Sequence, residues 1–397
     1  QRTEHLTCVY NENSPGMNHH EMSRFLRQLL AETDIPIRTR WLRSIPQIGC
    51  RKPLLVHKDK DVMDKLRRKY DVSLPDHRHT MLSPSAINIY MDCPMKFYFQ
   101  HVAGLKPERD VEEGLQAADL GNIFHDTAQV LYELTMARTG SRILDSNTLN
   151  ELLRQAESRV EPLLDIVFDA HYFHPYEDEW DVGKHIREMA DHGERPRNEY
   201  TGELIIYRSV VLQYLKNLLR YDARHAPLHI IGTEVDREFT LTIQPHGMPQ
   251  MTIQTGGRID RLDEVGGCVR VVDYKTGNKV PTVSNMEQVT GRGKNHEGYY
   301  LQTFLYSYAQ MQQSQPGTII KPLLFYPGKA SKPDYSPELY IGSTKVEDFA
   351  SQVADEYIRG LKERITEIFT PDISFTQCDD PQTCERCDFR LLCHGKE

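Results

Sequence analysis

The chain has 397 residues, of which 39% are hydrophobic and 26% charged, and its formal charge is −9, from 48 lysines and arginines against 57 aspartates and glutamates. No stretch of about eighteen uninterrupted apolar residues occurs, which excludes a membrane-spanning helix, and eight cysteines are too few for a disulfide scaffold. The negative charge argues against a uniformly basic nucleic-acid binder, but it leaves room for a local basic groove or a metal site made of carboxylates.

Residues 1–78 differ in pattern from the rest of the chain. Glu21 to Glu32 carries apolar residues at helical spacing, and Val62 to Tyr70 predicts a second, short helix. The polar stretch from Asp71 to His79 is typical of a linker. No signal-peptide pattern is present, so we expect a cytoplasmic protein. The first residue is Gln1 rather than Met, which favours a fragment of a longer chain or a processed product.

Helical patterns dominate from Ser83 to residue 222. Ser83 is a suitable N-cap, because its hydroxyl can accept a hydrogen bond from a free backbone N–H, and Pro84 suits the first turn, where its missing N–H costs nothing. From His171 to Tyr200 the sequence is polar and aromatic without a clear period, which predicts an insertion or loop. The predicted helices span residues 84–92, 95–102, 121–138, 147–165 and 203–222.

From about residue 229 the apolar period changes to two, which predicts strands. This succession of helices, a strand-rich centre and a final helix–strand–helix segment predicts an α/β fold with a mixed central sheet flanked by helices. The predicted elements of this part are strands at 229–241, 249–255 and 318–327, a further extended segment at 257–275, and helices at 298–312 and 346–369.

The segment 256–277 predicts a β-hairpin that carries charge. Gly266-Gly267 is a two-residue hairpin signal. If these glycines form the loop, Asp260 faces Asp273 with their Cβ atoms about 4.5–5.5 Å apart, and Lys275 lies on the same face. Two facing carboxylates repel each other, and Mg²⁺ or Mn²⁺ would offset that charge. The alternative is an exposed hairpin with a solvated Asp–Lys pair.

The cysteines near the C-terminus have the spacing of a metal-binding motif. Cys384, Cys387 and Cys393 supply three thiolates, one fewer than a tetrahedral site needs. Zinc and iron–sulfur clusters both favour tetrahedral thiolate ligation, so the spacing does not choose between them. The candidates for the fourth ligand are Cys378, His394 and the distant Cys93.

Several motifs, in one consistent order, resemble the PD-(D/E)xK nucleases, in the branch typified by the RecB and AddB nuclease domains. The hairpin, with Asp260 followed by Asp273-Tyr-Lys-Thr-Gly, is similar to their "G-x-x-D-R-x-D … D-Y-K-T-G" pattern. The resemblance covers about residues 80–397. The other matching segments are Leu82 to Phe99, Gly121-Asn-Ile-Phe-His125, and the Q-x-x-x-Y pair Gln302 and Tyr306.

This resemblance implies a restriction-endonuclease-like core and a metal-dependent deoxyribonuclease that acts at DNA ends in recombinational repair. His125, Asp260, Asp273 and the carbonyl of Tyr274 would bind Mg²⁺ or Mn²⁺. Glu234 would lie near the metal, Lys275 would position the attacking water and stabilise charge on the phosphate, and Gln302 with Tyr306 would hold the substrate strand. A structural histidine, a solvated glutamate and a helix packed at the core edge are the corresponding alternatives.

The resemblance also bears on the cysteines. AddB-type domains place one cysteine before the nuclease core and three after it, around a [4Fe–4S] cluster. Carried over, the ligands are Cys93, Cys384, Cys387 and Cys393, and the cluster would join positions 291 residues apart in sequence. Zinc bound by the same four residues is the alternative.

The implied domain organisation is a nuclease domain at 79–397 with a helical insertion at about 140–228 and a cysteine knuckle at 378–397. Residues 1–78 would be the remnant of a preceding helicase-like region plus a linker. The expected partners are DNA and a helicase or helicase–nuclease subunit, with no membrane, and no G-x-x-x-x-G-K-[S/T] motif for ATP occurs. The alternative function is a catalytically silent DNA-binding or scaffold module, against which the presence of Asp273 and Lys275 argues.

Overall fold

The computed structural model describes residues 22–33, 36, 38, 40, 54–75, 79–106, 115, 117–173, 182–193 and 196–394. The chain divides into two compact units, residues 1–52 and 53–397. In the first unit, helix α1 (Arg24–Glu32) coincides with the predicted amphipathic helix, of which Glu21 lies outside the described residues. None of the helices in the described ranges has both the length and the apolar character needed to cross a bilayer.

The second unit is built on a mixed sheet, as the sequence predicts, and this sheet has five strands in the order β2-β3-β4-β5-β6. Neighbouring strands are antiparallel except β5 and β6, which are parallel. The predicted strand at 249–255 and the first part of the hairpin form one continuous strand. The strands are β2 (Ile143–Leu144), β3 (Leu228–Ile243), β4 (Met251–Val265), β5 (Cys268–Tyr274) and β6 (Ile319–Phe325).

The hairpin between β4 and β5 has the predicted register. Val265 pairs with Cys268, and the pairing continues to Arg261 and Val272. Both loop glycines, Gly266 and Gly267, have positive φ angles of 59° and 79°, which a type I′ turn requires at both central positions. The ladder stops one step before Asp260 and Asp273, so these two residues lie at the end of the pair.

Helices cover both faces of the sheet, and on each face a hydrophobic cluster lies between the sheet and its helices. Leu262 and Val271, which pair across the hairpin, belong to one cluster, whereas Val272 and Tyr274 belong to the other. The first face is covered by α3 (Pro84–Asp92), α10 (Glu287–Thr290), α11 (Gly298–Gln313), α12 (Phe349–Gln352) and α13 (Ala354–Ile368). The second is covered by α5 (Ala117–Thr139), α6 (Ser146–Arg154), α7 (Ala156–Phe168), α8 (Val182–His192) and α9 (Glu203–His225).

Several helices differ from their predicted bounds. The helix predicted at 95–102 is a short α4 (Pro94–Phe97) that continues as a π-helical turn to Val102, and the one predicted at 147–165 is broken at Gln155 into α6 and α7. The prediction of an insertion or loop between His171 and Tyr200 is wrong over α8, where Ile186 is fully buried. Ile186, Met189 and Ala190 pack on the second hydrophobic cluster, so α8 is an amphipathic helix in a polar segment.

Short elements near the two ends of the second unit lie together. The strand β1 (Leu55–Val56) pairs with β9 (Phe375–Thr376), and α2 (Lys60–Tyr70) packs on the first hydrophobic cluster. These elements belong to the unit that carries the sheet, although the sequence analysis placed residues up to 78 before the nuclease domain. The remaining elements are β7 (Tyr340–Ile341), β8 (Thr344–Lys345), α14 (Pro381–Glu385) and α15 (Arg390–His394).

Candidate active site and a cysteine-lined cavity

Three side chains from three different elements converge at the end of the hairpin. His125 projects from α5, Glu234 from β3 and Asp260 from β4, and one ligand atom of each lies within 4.8 Å of the other two. The His125 Nδ1 atom is 3.4 Å from Asp260 Oδ1, and the other oxygen of Asp260 accepts the backbone N–H of Tyr274 at 2.5 Å. The carboxylate of Asp260 is therefore held in place by the backbone of Tyr274, at the end of β5.

The backbone of β3 is distorted where it brings Glu234 to this point. Glu234 has a φ of +49°, a left-handed conformation that is uncommon for any residue except glycine and is often found at functional sites. The strand register is irregular just before it, at Gly232, where a Cβ would lie only 2.6 Å from the side chain of Val235. The sequence contains no turn signal that predicts this distortion inside a long strand.

Asp273 lies beside this group rather than in it. The carboxylate is fully buried, Lys275 Nζ lies 2.6 Å from its Oδ2 atom, and Gln302 Nε2 donates to its Oδ1 atom at 3.2 Å. The ammonium of Lys275 is therefore the ion-pair partner of Oδ2. Gln302 also donates to the hydroxyl of Tyr306 at 3.0 Å, so the predicted Q-x-x-x-Y pair lies at the site.

Close backbone approaches hold these elements in register. A Cβ at Gly257 would lie 2.8 Å from the ring of Tyr306, so the absence of a side chain there lets α11 pack directly on β4. Asn88, in the first of the matching motifs, donates to the carbonyl of Gly298 at 3.1 Å and contacts His296 Nε2 at 2.9 Å. Asn88 thereby fixes the start of α11, a role that sequence reasoning missed although its motif had been found.

The ionisation of the site reflects an excess of negative charge. Burial alone lowers the pKa of His125, but the negative charges of Asp260, Asp273 and Glu234 outweigh it and raise the pKa to about 9. Burial, together with the charge of Asp260, raises the pKa of Glu234 to about 7. Burial also raises the pKa of Asp273 against the opposing effect of Lys275. In the metal-free protein, protons therefore offset part of the charge that a cation would offset.

The donor set fits a hard divalent metal ion. One imidazole and two carboxylates form a mixed nitrogen–oxygen site of the kind that accepts Mn²⁺ and, through its oxygens, Mg²⁺. Asp273, buried beside these three residues and paired with Lys275, offers a further carboxylate oxygen. Burial lowers the pKa of Lys275, but Asp273 and Asp260 more than reverse this and the net shift is upward, so Lys275 is a cation.

A second buried polar cluster, which we call the arginine cluster, lies next to this site. Arg261, which directly follows Asp260, donates to both oxygens of Asp222 on α9 at 2.6 and 3.0 Å, and its Nε atom is 2.8 Å from Asp263 Oδ2. Arg270 donates to both oxygens of Asp263 at 2.5 and 2.8 Å. The hydroxyl of Tyr132, on α5, donates to Asp222 and accepts from Arg261. The arginine cluster consists of Arg261, Arg270, Asp222, Asp263 and Tyr132.

The arginine cluster was missed as a functional feature, although its signal was in the "D-R-x-D" motif. Arg261 and Asp263 are the arginine and the second aspartate of that motif, and both are almost completely buried. Because the cluster joins β4 to α5 and α9, it holds the helix that carries His125 at a fixed distance from the strand that carries Asp260.

The four cysteines predicted as ligands line one cavity. Cys93, at the start of α4, meets Cys384, Cys387 and Cys393 there, and Cys378 lies at the same cavity. Its volume of about 90 Å³ has room for a few water molecules. The thiol of Cys378 therefore remains a candidate ligand beside the predicted four; the side chain of His394, the other candidate, lies outside the described residues.

The thiols meet at one cavity without forming a compact trio of ligand atoms. In the described ranges, three metal-ligand atoms approach within 4.8 Å of one another only at His125, Glu234 and Asp260, and not among the cysteines. Burial and the neighbouring thiols raise the pKa of Cys384 to about 11, so thiolates here need a bound cation to offset their repulsion.

Comparison with known proteins gives one match. A family model described as the PD-(D/E)XK nuclease superfamily matches residues 81–394, which is most of the chain. A search of curated proteins finds no match.

Proposed function

Since the chain belongs to the PD-(D/E)XK nuclease superfamily, we propose that it is a metal-dependent deoxyribonuclease that hydrolyses phosphodiester bonds at DNA ends. The observation that carries this proposal is the convergence of His125, Glu234 and Asp260 within 4.8 Å, beside the buried Asp273–Lys275 ion pair. Three ligands around one point and a cation next to them are what hydrolysis of a phosphodiester needs.

In this proposal His125, Glu234 and Asp260 would bind Mg²⁺ or Mn²⁺, and Asp273 with the carbonyl of Tyr274 would complete the ligand set. A metal ion held there would supply a coordinated water of lowered pKa and a positive charge for a phosphate oxygen. Lys275 stays protonated, so it donates a hydrogen bond to the phosphate as negative charge develops in the transition state.

The α11 residues orient the reacting groups. Gln302 donates to Asp273 and to Tyr306, and in doing so it holds the carboxylate that orients Lys275. Tyr306 is 5% exposed and packs against Gly257, so it supports the helix rather than presenting a large surface. We assign Gln302 to holding the substrate strand and the carboxylate in one arrangement, and Tyr306 to holding Gln302 in place through its hydroxyl.

The cellular context is part of the proposal and rests on the resemblance to RecB- and AddB-type domains. We place the activity in recombinational repair in the cytoplasm, with DNA as substrate and a helicase or helicase–nuclease subunit as partner. A catalytically silent scaffold would not need a cationic lysine beside a buried, hydrogen-bonded aspartate. Burying that pair costs desolvation free energy, and a buried pair adds nothing to a surface that binds DNA or a partner.

The cysteine-lined cavity is proposed to hold a [4Fe–4S] cluster on Cys93, Cys384, Cys387 and Cys393. The observation that supports it is that four thiols from both ends of the domain meet at one cavity. The cluster would act as a structural cross-link, since it closes a loop of 291 residues.

The nuclease proposal is tested with purified protein, Mg²⁺ or Mn²⁺, and labelled single- and double-stranded DNA. We expect cleavage from DNA ends, and we expect EDTA to abolish it. The cleavage rate should fall at least about a thousandfold in Lys275→Ala, which removes the cation beside the phosphate, and in Asp273→Ala, which removes the group that orients this cation. Lys279→Ala, which removes an exposed lysine from the following loop, is the matched control. Wild-type rates in Lys275→Ala would refute the assignment, and DNA binding without cleavage by the wild type would favour the scaffold.

A further inference from the structure

Tyr299 lies in the first turn of α11, on the face that contacts the candidate site. Residues 299, 302 and 306 are spaced by three and four positions, so their side chains share one side of the helix. Lys275 Nζ lies 5.0 Å from the centre of the Tyr299 ring, and Gln302 donates to Asp273 from the next turn. The Tyr299 ring is therefore at the rim of the site, directly beside the lysine.

The exposure of Tyr299 sets it apart from the other aromatic residues of α11. Its side chain is 44% exposed, whereas Tyr300, Phe304 and Tyr306 are each at most 5% exposed. In the part of the chain that the structure describes, no other aromatic ring forms a stacked or edge-on pair with Tyr299. The ammonium of Lys275 lies against the ring, and a large apolar area is left in contact with solvent.

We propose that the ring of Tyr299 stacks on the base of an unpaired nucleotide next to the scissile phosphate, so that the preferred substrate is a single-stranded or frayed DNA end. The inference rests on the proposed nuclease function and deepens it by naming the form of the substrate. Stacking on an aromatic side chain is open only to a base that has left the duplex, and it tolerates every base because each has a π-face.

Stacking is distinguishable from a simpler role in which Tyr299 only orients Lys275 through a cation–π contact. Orientation of the lysine affects every substrate equally, because every substrate has the phosphate. Stacking affects only substrates that have a base at the position concerned. The two roles are therefore distinguished by comparing cleavage of substrates with and without the base, and not by the cleavage rate on a single substrate.

The experiment compares kcat/KM for single-stranded oligonucleotides with an intact end and for matched oligonucleotides whose terminal two nucleotides are abasic, with the abasic positions placed at the 3′ end or at the 5′ end. The full-length protein is used in four forms: wild type, Tyr299→Phe, Tyr299→Ala and Tyr340→Ala. Tyr340, on β7, is a matched control because it is a tyrosine with a similar exposed fraction, 41%.

We expect the wild type, Tyr299→Phe and Tyr340→Ala to prefer the intact end by about 5- to 150-fold, the range for stacking of one base. Tyr299→Ala should cleave both substrates at similar rates. An unchanged preference in Tyr299→Ala, or an equal loss on both substrates, would overturn the stacking inference while leaving the nuclease proposal standing. If the wild type cleaved no DNA end at all, the nuclease proposal itself would fail, and the stacking inference with it.

Discussion

Asp260 and Asp263 lie three positions apart on β4, and the two groups around them differ in their balance of charge. Asp263 is buried with Arg261, Arg270 and Asp222, so two arginines meet two aspartates. Asp260 lies with other acids and with His125, and it shares the region with one lysine that is already paired with Asp273. Both groups take residues from β4 and α5.

The difference teaches how a fold separates a structural cluster from a reactive one. In the arginine cluster every carboxylate oxygen has a donor within the protein, so nothing from solution is required. At the site of Asp260 the acids outnumber the fixed cations: burial and the charge of Asp260 raise the pKa of Glu234, and the neighbouring acids raise the pKa of His125. A group that attracts protons in this way also attracts a metal ion, since both offset the same charge.

The largest expected effect on stability comes from breaking the arginine cluster. Asp222→Ala leaves the guanidinium of Arg261 buried with Asp263 alone, and removing one partner of a buried ion pair costs about 3–5 kcal/mol of the free energy of unfolding. The matched variant Asp260→Asn keeps an oxygen for the N–H of Tyr274 and should cost less than about 1 kcal/mol. Urea denaturation of the metal-free proteins measures both. Equal losses would show that the two groups do not differ as we describe.

The cysteine-lined cavity provides a third cluster, made of thiols that repel one another once they are ionised to thiolates. Cys93→Ser should lose the bound metal and about 2–4 kcal/mol of stability, because it releases a cross-link between both ends of the domain. Cys268→Ser, at the start of β5, should change neither. Iron, labile sulfide and zinc are measured on anaerobically purified protein, together with thermal unfolding. Full metal retention in Cys93→Ser would point to Cys378 or His394 as the fourth ligand instead.

The charge imbalance predicts opposite pH dependences without and with metal. Because the folded-state pKa values of Glu234 and His125 are raised from 4.5 and 6.5 to about 7 and 9, the stability that these two groups contribute to the metal-free protein is present at low pH and is lost as the pH rises through about 7 and 9. Metal binding requires the deprotonated ligands, so affinity should increase over the same range. Mn²⁺ at a hundred times its Kd should stabilise the wild type by about 2.7 kcal/mol.

This stabilisation is measured by thermal unfolding at pH 6 and pH 8.5 with and without Mn²⁺. Asp260→Asn serves as the control and should show little effect of the metal at either pH. A metal-free protein that became more stable with rising pH, or a metal effect that was larger at pH 6, would contradict the charge imbalance at this site.

The smallest effect should come from Tyr132→Phe, which removes one hydroxyl from the arginine cluster. Asp222 keeps both hydrogen bonds from Arg261, so the loss should be about 1 kcal/mol, the value of one hydrogen bond. Manganese affinity, measured by titration calorimetry, should stay within about twofold of the wild type, because His125 is not itself altered. A larger drop in affinity would show that this hydroxyl positions α5 at the metal site.

Features that depend on neighbouring residues were predictable from the sequence. The register of the hairpin follows from Gly266-Gly267, because a two-residue turn fixes which residues face each other. The N-cap at Ser83 was likewise predicted, and its hydroxyl accepts the N–H of Ala86 in the structure. The family match followed from the order of such local motifs, which survives without any knowledge of how the helices pack.

Features that join distant parts of the chain were decided only by the tertiary structure. Glu234 approaches Asp260 because β3 is distorted inside a regular strand, and no local pattern encodes that distortion. The contact of Asn88 with Gly298 spans 210 residues, and the pairing of Asp222 with Arg261 depends on how α9 packs against the sheet. Sequence patterns report the conformation of a segment, whereas the distance between two side chains on separate elements depends on the packing of the whole core between them.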